Sequence, residues 1–327
     1  MNSHLIIGSV GFDMKEPQKK LEVLTRICRR FNEEDFTYAI GSSLMLYFND
    51  IVDDFHDIDI LVVAKDAERM KEVLLEYGQM KPYKQNEGFA SKYFYEFIIE
   101  DVEFDIIGNF VIKKDDRLYD FSLKEEDIDD YRLLDDVIIP LHALYIWEYC
   151  YLLMGREYRI RQIEEHRSDE RWDAYDEKMN KLEGITLSRG DRSREHYHLV
   201  ALIIVRHVDG DYLVMRRDLR KSFGGFYEFT SGGAILQGET PMDGAVRELY
   251  EETGIRGEMR HLGDEVDEDS KTIYVIYGCL CDIDKDDIVL QEKETIGYRW
   301  LDENGLRQMN RQQLVAWRTW KYVFPDD

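Results

Sequence analysis

A glutamate-rich segment, residues 233–255, limits the possible fold and chemistry of this chain more than any other feature. Its sequence is GAILQGETPMDGAVRELYEETGI. Glu248, Glu251 and Glu252 are spaced at i, i+3 and i+4, so in a helix they lie on one face. Neighbouring carboxylates repel one another unless cations bind them, and Mg²⁺ and Mn²⁺ prefer oxygen ligands. The spacing therefore predicts a helix that carries a metal site for phosphate chemistry.

The same segment contains start and stop residues for that helix. Thr240 is a favourable capping residue, Pro241 suits the first helical position, and Asp243 stands three residues after the cap. Gly254 can adopt the left-handed conformation that ends many helices. Gly233 lies in the preceding loop, where a backbone without a side chain can approach a metal or a phosphate closely. The sequence thus predicts a glycine loop followed by a helix from Thr240 to Gly254.

The whole segment fits the pattern G-x5-E-x7-R-E-U-x-E-E-x-G-U, in which U is a bulky apolar residue, here Leu249 and Ile255. Every fixed position is satisfied, and the segment therefore resembles the signature box of the Nudix hydrolases. The resemblance implies an α/β/α sandwich and an enzyme that cleaves the pyrophosphate of a nucleoside diphosphate linked to another group. The strand patterns of residues 198–217 and 271–283 fit such a domain.

The resemblance also implies roles for the residues at the matched positions. Glu239 is expected to support the metal shell, and Arg247 to hold a glutamate in place by a charge-assisted hydrogen bond. Glu294, in the downstream run QEKETIGYRWLD, is expected to act as a base or a further ligand. The divalent metal, Mg²⁺ or Mn²⁺, is expected at the carbonyl of Gly233 and the carboxylates of Glu248, Glu251 and Glu252. The substrate is expected to be a small nucleotide, and the segment identifies neither its base nor the linked group.

Length, charge and cysteine content restrict the class of protein further. A chain of 327 residues exceeds one such domain, so two domains are expected. The net charge of −25 argues against a broad nucleic-acid or anionic-membrane surface, which needs basic patches. No run approaches the roughly 18 apolar residues of a membrane span, and residues 1–20 lack the pattern of a signal peptide. The four cysteines show neither disulfide-scaffold nor zinc spacing, and a cytoplasmic location is expected.

The pattern of charge marks a helical region between the two domains. Residues 141–154 are apolar and aromatic, whereas residues 157–182 are charged and lack glycine, and both stretches are predicted to be helices. The run GITLSRGDRSREH is predicted to close the second helix at Gly184 and to form the domain boundary. The predicted domains are therefore residues 1–185, with the helical extension, and residues 191–327.

The amino-terminal part contains a second acidic constellation. Asp57 and Asp59 alternate with Ile58 and Ile60 in a strand pattern, which places both carboxylates on one face. Two adjacent carboxylates again favour a divalent cation, and a third candidate, Asp105, lies in the apolar run VEFDIIGNF. Upstream, three small residues form a turn that opens a helix, whose free amides suit a phosphate; they are Gly41, Ser42 and Ser43.

This arrangement resembles the nucleotidyltransferase superfamily, in particular its small antibiotic-modifying or toxin-like members. The resemblance implies a mixed sheet with helices, two metal ions held by Asp57, Asp59 and Asp105, and a nucleoside triphosphate near the 41–43 turn. Asp105 would also activate an acceptor hydroxyl. In-line nucleotidyl transfer gains from two cations that bind the attacking and leaving oxygens. The acceptor cannot be read from the sequence.

Three functions are compatible with these patterns. The leading one is a magnesium-dependent Nudix pyrophosphohydrolase fused to a nucleotidyltransferase-like domain, and hence a bifunctional enzyme if both sites are active. In the second, transfer to a small acceptor is the main activity and the Nudix domain is accessory. In the third, the chain is a non-catalytic nucleotide sensor. The presence of both Glu251 and Glu252 favours catalysis, because a sensor has less need of the paired carboxylates.

Overall fold

A computed structural model of the chain describes residues 16–83, 87–166, 170–188, 195–315 and 317–325. The chain divides into two units: the first runs to Leu44 and resumes over Asp54–Glu125, and the second consists of Met45–Asp53 and the chain from Glu126 onward. The predicted fold class, mixed α/β with two domains, is confirmed. The predicted limits 1–185 and 191–327 remain predictions, and positions 1, 191 and 327 lie outside the described residues.

The first unit combines three helices with mixed strands. Its sheet has the order β3-β4-β5-β2-β1, with β2 parallel to β5 and the other pairs antiparallel, while β6 and β7 form a separate hairpin. Helix α2 crosses the division between the units. The elements are α1 (Glu16–Glu33), β1 (Tyr38–Ile40), α2 (Ser42–Phe48), β2 (Ile58–Val62), α3 (Ala67–Leu74), β3 (Gln79–Met80), β4 (Tyr93–Ile99), β5 (Val102–Gly108), β6 (Val111–Lys114) and β7 (Arg117–Asp120).

The second unit contains the remaining helices and a six-stranded sheet. That sheet has the order β14-β13-β12-β16-β15, with β17 paired to the other edge of β13, and β12 and β16 are parallel. Its elements are β8 (Ile128–Leu134), β9 (Val137–His142), α4 (Leu144–Leu153), α5 (Glu157–His166), β10 (Arg171–Tyr175), β11 (Lys181–Ser188), β12 (His198–His207), β13 (Tyr212–Arg217), β14 (Tyr227–Glu228), α6 (Pro241–Thr253), β15 (Glu258–Asp267), β16 (Thr272–Cys281), β17 (Thr295–Leu301), α7 (Glu303–Arg307) and α8 (Trp320–Val323).

Alternation along β12 explains why this sheet is covered on both faces. Successive strand residues point to opposite faces. Leu199, Ala201 and Ile203 belong to a core that also contains the apolar side of α6, whereas Leu202 and Ile204 belong to a second core with the α7 and α8 region. The result is a helix–sheet–helix sandwich, as predicted for the carboxyl-terminal domain.

The prediction of a single helix over residues 157–182 is wrong. Helix α5 ends at His166, and the chain then forms the antiparallel hairpin β10–β11, in which Trp172 faces Leu187. Burial of both apolar side chains in one small cluster favours the strands over a helix with sparse apolar residues. Gly184, predicted to end the helix, lies inside β11 with a φ of 78°.

The helices of the described residues are all too short or too polar to cross a membrane.

Candidate active site

Helix α6 presents the glutamates of the predicted metal site. Thr240 caps the helix in a reciprocal capping box with Asp243, Pro241 occupies the first turn, and Gly254 ends the helix with a φ of 73°. Each of these features was predicted, and each is confirmed. The helix therefore begins and ends through its own local sequence, which fixes the position of the acidic face relative to the preceding glycine loop.

Arg247 is the centre of an ion-pair network on this face. Its Nε and Nη2 donate to the two carboxylate oxygens of Glu239 at 2.7 and 2.9 Å. Its Nη1 donates to Glu248 at 2.6 Å and to Glu251 at 3.2 Å, and Nη2 also reaches the carbonyl of Ala234 at 3.0 Å. One guanidinium thus orients carboxylates from both the loop and the helix, a geometry that suits the planar fork of arginine.

The network shifts the ionisation of its members in opposite directions. The hydrogen bond from Arg247 holds the pKa of Glu239 below its ordinary value. Burial raises the pKa of Glu248, although the same guanidinium acts against this rise. A carboxylate that is desolvated in this way gains from a nearby cation, because opposite charge favours its ionised form.

Glu252 lies deeper than the other helix glutamates. Its Oε2 accepts hydrogen bonds from the Ser231 hydroxyl at 2.6 Å and from the Gly232 N–H at 3.0 Å. Burial, with the nearby charge of Glu228, raises the pKa of Glu252 to about 8. Both carboxylate oxygens of Glu228 accept hydrogen bonds from Nη1 of Arg217, at 2.9 and 3.0 Å. The sequence analysis did not identify Glu228, because it lies outside the box spacing and the sheet brings it to the site.

The loop glycines are required by close packing. A Cβ on Gly233 would stand 2.6 Å from a carboxylate oxygen of Glu248, and one on Gly232 would stand 2.0 Å from the carbonyl of Ala201. The carbonyl of Gly233, a predicted metal ligand, accepts a hydrogen bond from the Ala201 N–H at 2.9 Å. One lone pair of that oxygen is therefore used by the sheet.

A cleft of about 1600 Å³ in the second unit contains part of this site. Gly232, Gly233 and Glu252 line the cleft, as does Glu294, the predicted base or ligand. Glu294 forms an ion pair with Lys221, which also lines the cleft. The structure thus places Glu294 in the same cleft as the box.

Several cations also line this cleft, in a chain that is strongly acidic as a whole. Arg220 and Lys293 each bind one carboxylate oxygen of Asp50 at 3.0 Å. Arg217 pairs with Glu228, as described above. The cleft therefore contains positive charge beside the box carboxylates, a distribution suited to the charge of a phosphate group.

The first unit holds the second predicted site. Asp59 and Asp105 are direct neighbours in the parallel pair β2–β5, and Asp57 immediately precedes β2. Carboxylate oxygens of Asp57, Asp59 and Asp105 lie within 4.8 Å of one another, and this trio is the compact metal-type group found among the described residues. Burial and the charge of Asp57 raise the pKa of Asp105 to about 7. The box glutamates are less closely grouped, since Arg247 and Ser231 hold their oxygens.

The predicted turn beside these aspartates is also present. Gly41 donates its N–H to the carbonyl of Asp59 at 2.9 Å, and α2 begins at Ser42, which has a φ of 50°. Within the described residues, the buried hydroxyl of Ser43 has no hydrogen-bond partner. The structure thus places residues 41–43 next to the strand that carries Asp59. Their contact with a triphosphate stays a prediction.

Comparison with known proteins identifies the carboxyl-terminal part. Residues 196–320 match the family model of the NUDIX domain. Over 63 residues, the chain is 41% identical to an uncharacterized Nudix hydrolase from Rhodococcus erythropolis, a match that covers 19% of this chain and 34% of that protein. The chain thus spans about a third of the length of this curated relative. These matches support the predicted resemblance to the Nudix hydrolases for residues 196–320.

Solved structures of other proteins are similar to portions of this chain. A MutT protein from Methanosarcina mazei Go1 is 23% identical, with 39% of this chain and 93% of that chain covered and a TM-score of 0.34. A proposed nucleotidyltransferase from Thermotoga maritima is 23% identical, with 46% of this chain and 94% of that chain covered and a TM-score of 0.38. Both TM-scores are low, and the resemblance of the first unit to nucleotidyltransferases stays a prediction.

Proposed function

We propose that the second unit is a Mg²⁺- or Mn²⁺-dependent hydrolase that cleaves the pyrophosphate of a small nucleoside diphosphate-linked substrate. The observation that carries this proposal is the Arg247 network, which orients Glu239, Glu248 and Glu251 on one side of a Nudix domain. The convergence of carboxylates from a loop and a helix supports a site built to receive a cation.

The residues present fit a divalent ion. Glu248, Glu251 and Glu252, with the carbonyl of Gly233, would hold it, and the packing of the Glu248 carboxylate against Gly233 brings two of these groups together. Burial and the charge of Glu228 raise the pKa of Glu252 to about 8, and a bound cation would favour its ionised form. A bound cation would supply charge neutralisation of the pyrophosphate and a lower pKa for a bound water.

The protein groups have separate tasks in the proposed reaction. Arg247 and Glu239 keep the helix carboxylates oriented, so that little reorganisation is needed when the substrate binds. Glu294, whose carboxylate is held by Lys221, accepts the proton of the attacking water. The cations that line the cleft, Arg217 and Arg220 among them, bind the non-bridging oxygens of the substrate.

The test is a screen of the full chain against nucleoside triphosphates, dinucleoside polyphosphates and nucleotide sugars, with Mg²⁺ and with products identified by mass. We expect Glu251→Gln and Glu252→Gln to reduce Mg²⁺-dependent hydrolysis at least about 100-fold, with unchanged circular dichroism. Glu258→Gln, at an exposed position of β15, is the matched control and should keep full activity. Equal turnover in wild type and in both active-site variants would contradict the proposal.

We propose a second activity, nucleotidyl transfer to a small acceptor, for the first unit. The supporting observation is the closeness of the three carboxylates Asp57, Asp59 and Asp105, which fits divalent cations. A nucleoside triphosphate would then bind near Ser42 and Ser43, and Asp105 would accept the proton of the acceptor hydroxyl. These assignments make the chain a bifunctional enzyme.

The two activities can be separated by substitution. Asp57→Ala is expected to abolish label transfer from a nucleoside triphosphate and to leave pyrophosphate hydrolysis unchanged. Asp53→Ala, an exposed aspartate outside the trio, serves as the matched control and should affect neither. If the wild-type protein transfers nucleotide to none of the tested acceptors and its first unit binds no triphosphate, this second activity is excluded. Binding without hydrolysis at either site would favour a nucleotide sensor.

A further inference from the structure

The hairpin β10–β11 precedes the residues that match the Nudix family model, yet it is attached to the loop of the signature box. The carbonyl of Arg171 accepts from the Gln237 N–H at 2.8 Å, and Asp173 accepts from the Gly238 N–H at 2.9 Å. The Gln237 side chain also donates to the Thr186 hydroxyl at 3.0 Å. The hairpin is therefore held to the catalytic loop by both of its strands.

The apolar side of the hairpin packs on the same loop. Trp172, Ala174 and Leu187 form a small buried cluster against Ala234 and Leu236. Ala234 immediately follows Gly233, the glycine that lies against the Glu248 carboxylate. Trp172 and Ala234 both line the large cleft. The hairpin thus forms a wall of the cleft beside the proposed metal-binding residues.

Next to this wall, one face of the sheet lines the cleft. His198 pairs with Thr272 and Val200 with Tyr274 in the parallel strands β12 and β16, so these four side chains share a face. Further along β12, Leu202 and Ile204 are buried by the α7 and α8 region. Arg318 lies over the Tyr274 ring, with its guanidinium carbon 5.4 Å from the ring centroid. His198, Val200 and Tyr274 are half-buried and line the cleft. We call these three residues and Thr272 the cleft floor.

Trp172 fixes one end of the cleft floor. Its indole stacks on the imidazole of His198, with ring centroids 4.4 Å apart and an angle of 16° between the planes. The indole is itself held by the hairpin cluster, and its exposed fraction is 8%. A stacked and buried indole restricts the rotation of the imidazole, so that His198 presents a flat surface of defined orientation.

The cleft floor adjoins the reacting end of the site. The carbonyl of Gly233 accepts from the Ala201 N–H at 2.9 Å, and Val200 and Ala234 form a β-bridge. A residue of a strand spans roughly 3.3 Å, so His198 lies within two or three such steps of the glycine. A pyrophosphate bound at the box would therefore place its attached nucleoside over the floor.

From this arrangement we propose that His198 and Tyr274 bind the nucleobase of the substrate by stacking, with Trp172 as the positioning residue for His198. This inference rests on the proposed hydrolase function. It identifies the group that the site selects, which is a planar aromatic base attached through the nucleoside to the diphosphate. An apolar chain or a bare sugar in the same place would gain none of the stacking contact. The hairpin, outside the matched domain, thereby becomes part of the specificity site.

The experiment compares one substrate that has a base with one that lacks it. Hydrolysis of the nucleoside triphosphates accepted by wild type is measured beside that of inorganic tripolyphosphate, for His198→Ala, Tyr274→Leu and Trp172→Leu. We expect kcat/KM for the nucleoside triphosphates to fall roughly 5- to 100-fold, the range that loss of one base–aromatic stack produces. The change is expected mainly in KM, with tripolyphosphate hydrolysis unaffected. His261→Ala, an exposed histidine of β15 outside the cleft, should match wild type.

Two further outcomes separate this inference from the proposed hydrolase function. Suppose that wild type hydrolyses its substrate and that the three variants change kcat/KM equally for the nucleoside triphosphate and for tripolyphosphate, or change neither. The base-stacking inference is then wrong, and the proposed hydrolase function stands. If wild type hydrolyses none of the compounds, binding is followed by quenching of tryptophan fluorescence, with Trp172→Phe to identify the responding indole. Quenching by nucleotides that is lost in His198→Ala supports the cleft floor without turnover, and quenching unchanged by that substitution overturns it.

Discussion

Replacement of Arg247 by lysine tests whether the charge of this residue or its geometry organises the site. Arginine donates two hydrogen bonds to Glu239 and one each to Glu248, Glu251 and Ala234. A lysine ammonium keeps the positive charge but is a point charge on a flexible stem, and it cannot reproduce the fork. We expect Arg247→Lys to leave the helix in place and to release at least one of the three carboxylates.

The magnitude follows from the exposure of these groups. A hydrogen bond to a charged partner contributes about 1.5–3 kcal/mol when it is buried. The Arg247 side chain is 23% exposed and that of Glu251 45%, so solvent reduces the contribution. Loss of the outer contacts should lower the free energy of unfolding by only about 1–2 kcal/mol. Misplaced carboxylates should cost more in catalysis, about 100-fold in kcat/KM, which corresponds to about 2.7 kcal/mol of transition-state stabilisation.

The assay combines denaturant unfolding with a Mg²⁺ titration of the hydrolysis rate. Arg247→Lys should require a higher Mg²⁺ concentration for half-maximal rate and should not regain the wild-type maximum. Arg256→Lys, an exposed arginine just after the helix, is the control for the substitution itself. If Arg247→Lys retains activity within about threefold of wild type, charge alone organises the site and the reasoning from the fork is refuted.

Two further predictions concern stability. Burial lowers the pKa of His142 to about 4, so below the unfolded value of about 6.5 the unfolded chain binds a proton that the folded chain excludes. The free energy of unfolding should thus decrease by about 1 kcal/mol between pH 7 and pH 5.5. In urea unfolding, His142→Leu should show a smaller decrease; the same pH dependence as wild type would disprove this role of His142. Gly232→Ala should destabilise by about 3 kcal/mol, because the new Cβ would stand 2.0 Å from the Ala201 carbonyl at a φ of 151°. Gly238→Ala is the control, with a φ of 85° and no atom within 4 Å of the new Cβ, and should cost only about 1 kcal/mol; equal losses for both glycines would contradict the packing argument.

The parts of the fold that the sequence predicts correctly are those fixed by short-range rules. Helix α6 begins and ends at the residues whose side chains or backbone freedom suit those positions, Thr240 and Gly254. The strands on either side of Asp209 and Gly210 follow from the apolar strand pattern and from the turn residues between them. The closeness of Asp59 and Asp105 was implied by the resemblance to nucleotidyltransferases, and their direct pairing in β2–β5 depends on the strand order.

The residues that the sequence analysis missed are those brought to the site by tertiary packing. Glu228 lies outside the box and reaches Glu252 through the fold of the sheet, and no spacing rule relates the two. The partners of Arg247 were predicted only in part, since the resemblance implied a contact with one glutamate whereas the structure shows three. A spacing pattern encodes which residues share a face, but the distances among their carboxylates depend on rotamers and on burial.

The hairpin β10–β11 shows how an error in secondary structure conceals part of a functional site. Residues 157–182 lack glycine and are highly charged, and such composition favours a solvated helix. Two features favour a hairpin instead. Trp172 and Ala174 alternate with polar residues. The carboxylate of Asp176 accepts hydrogen bonds from the N–H groups of Lys178 and Asn180 and so forms the turn. The strands are stable because Trp172 packs against the box loop. This contact is tertiary, so local sequence rules do not predict it. A helical linker would have removed Trp172 from the cleft; a strand places it against His198 and makes base selectivity a property of residues outside the matched domain.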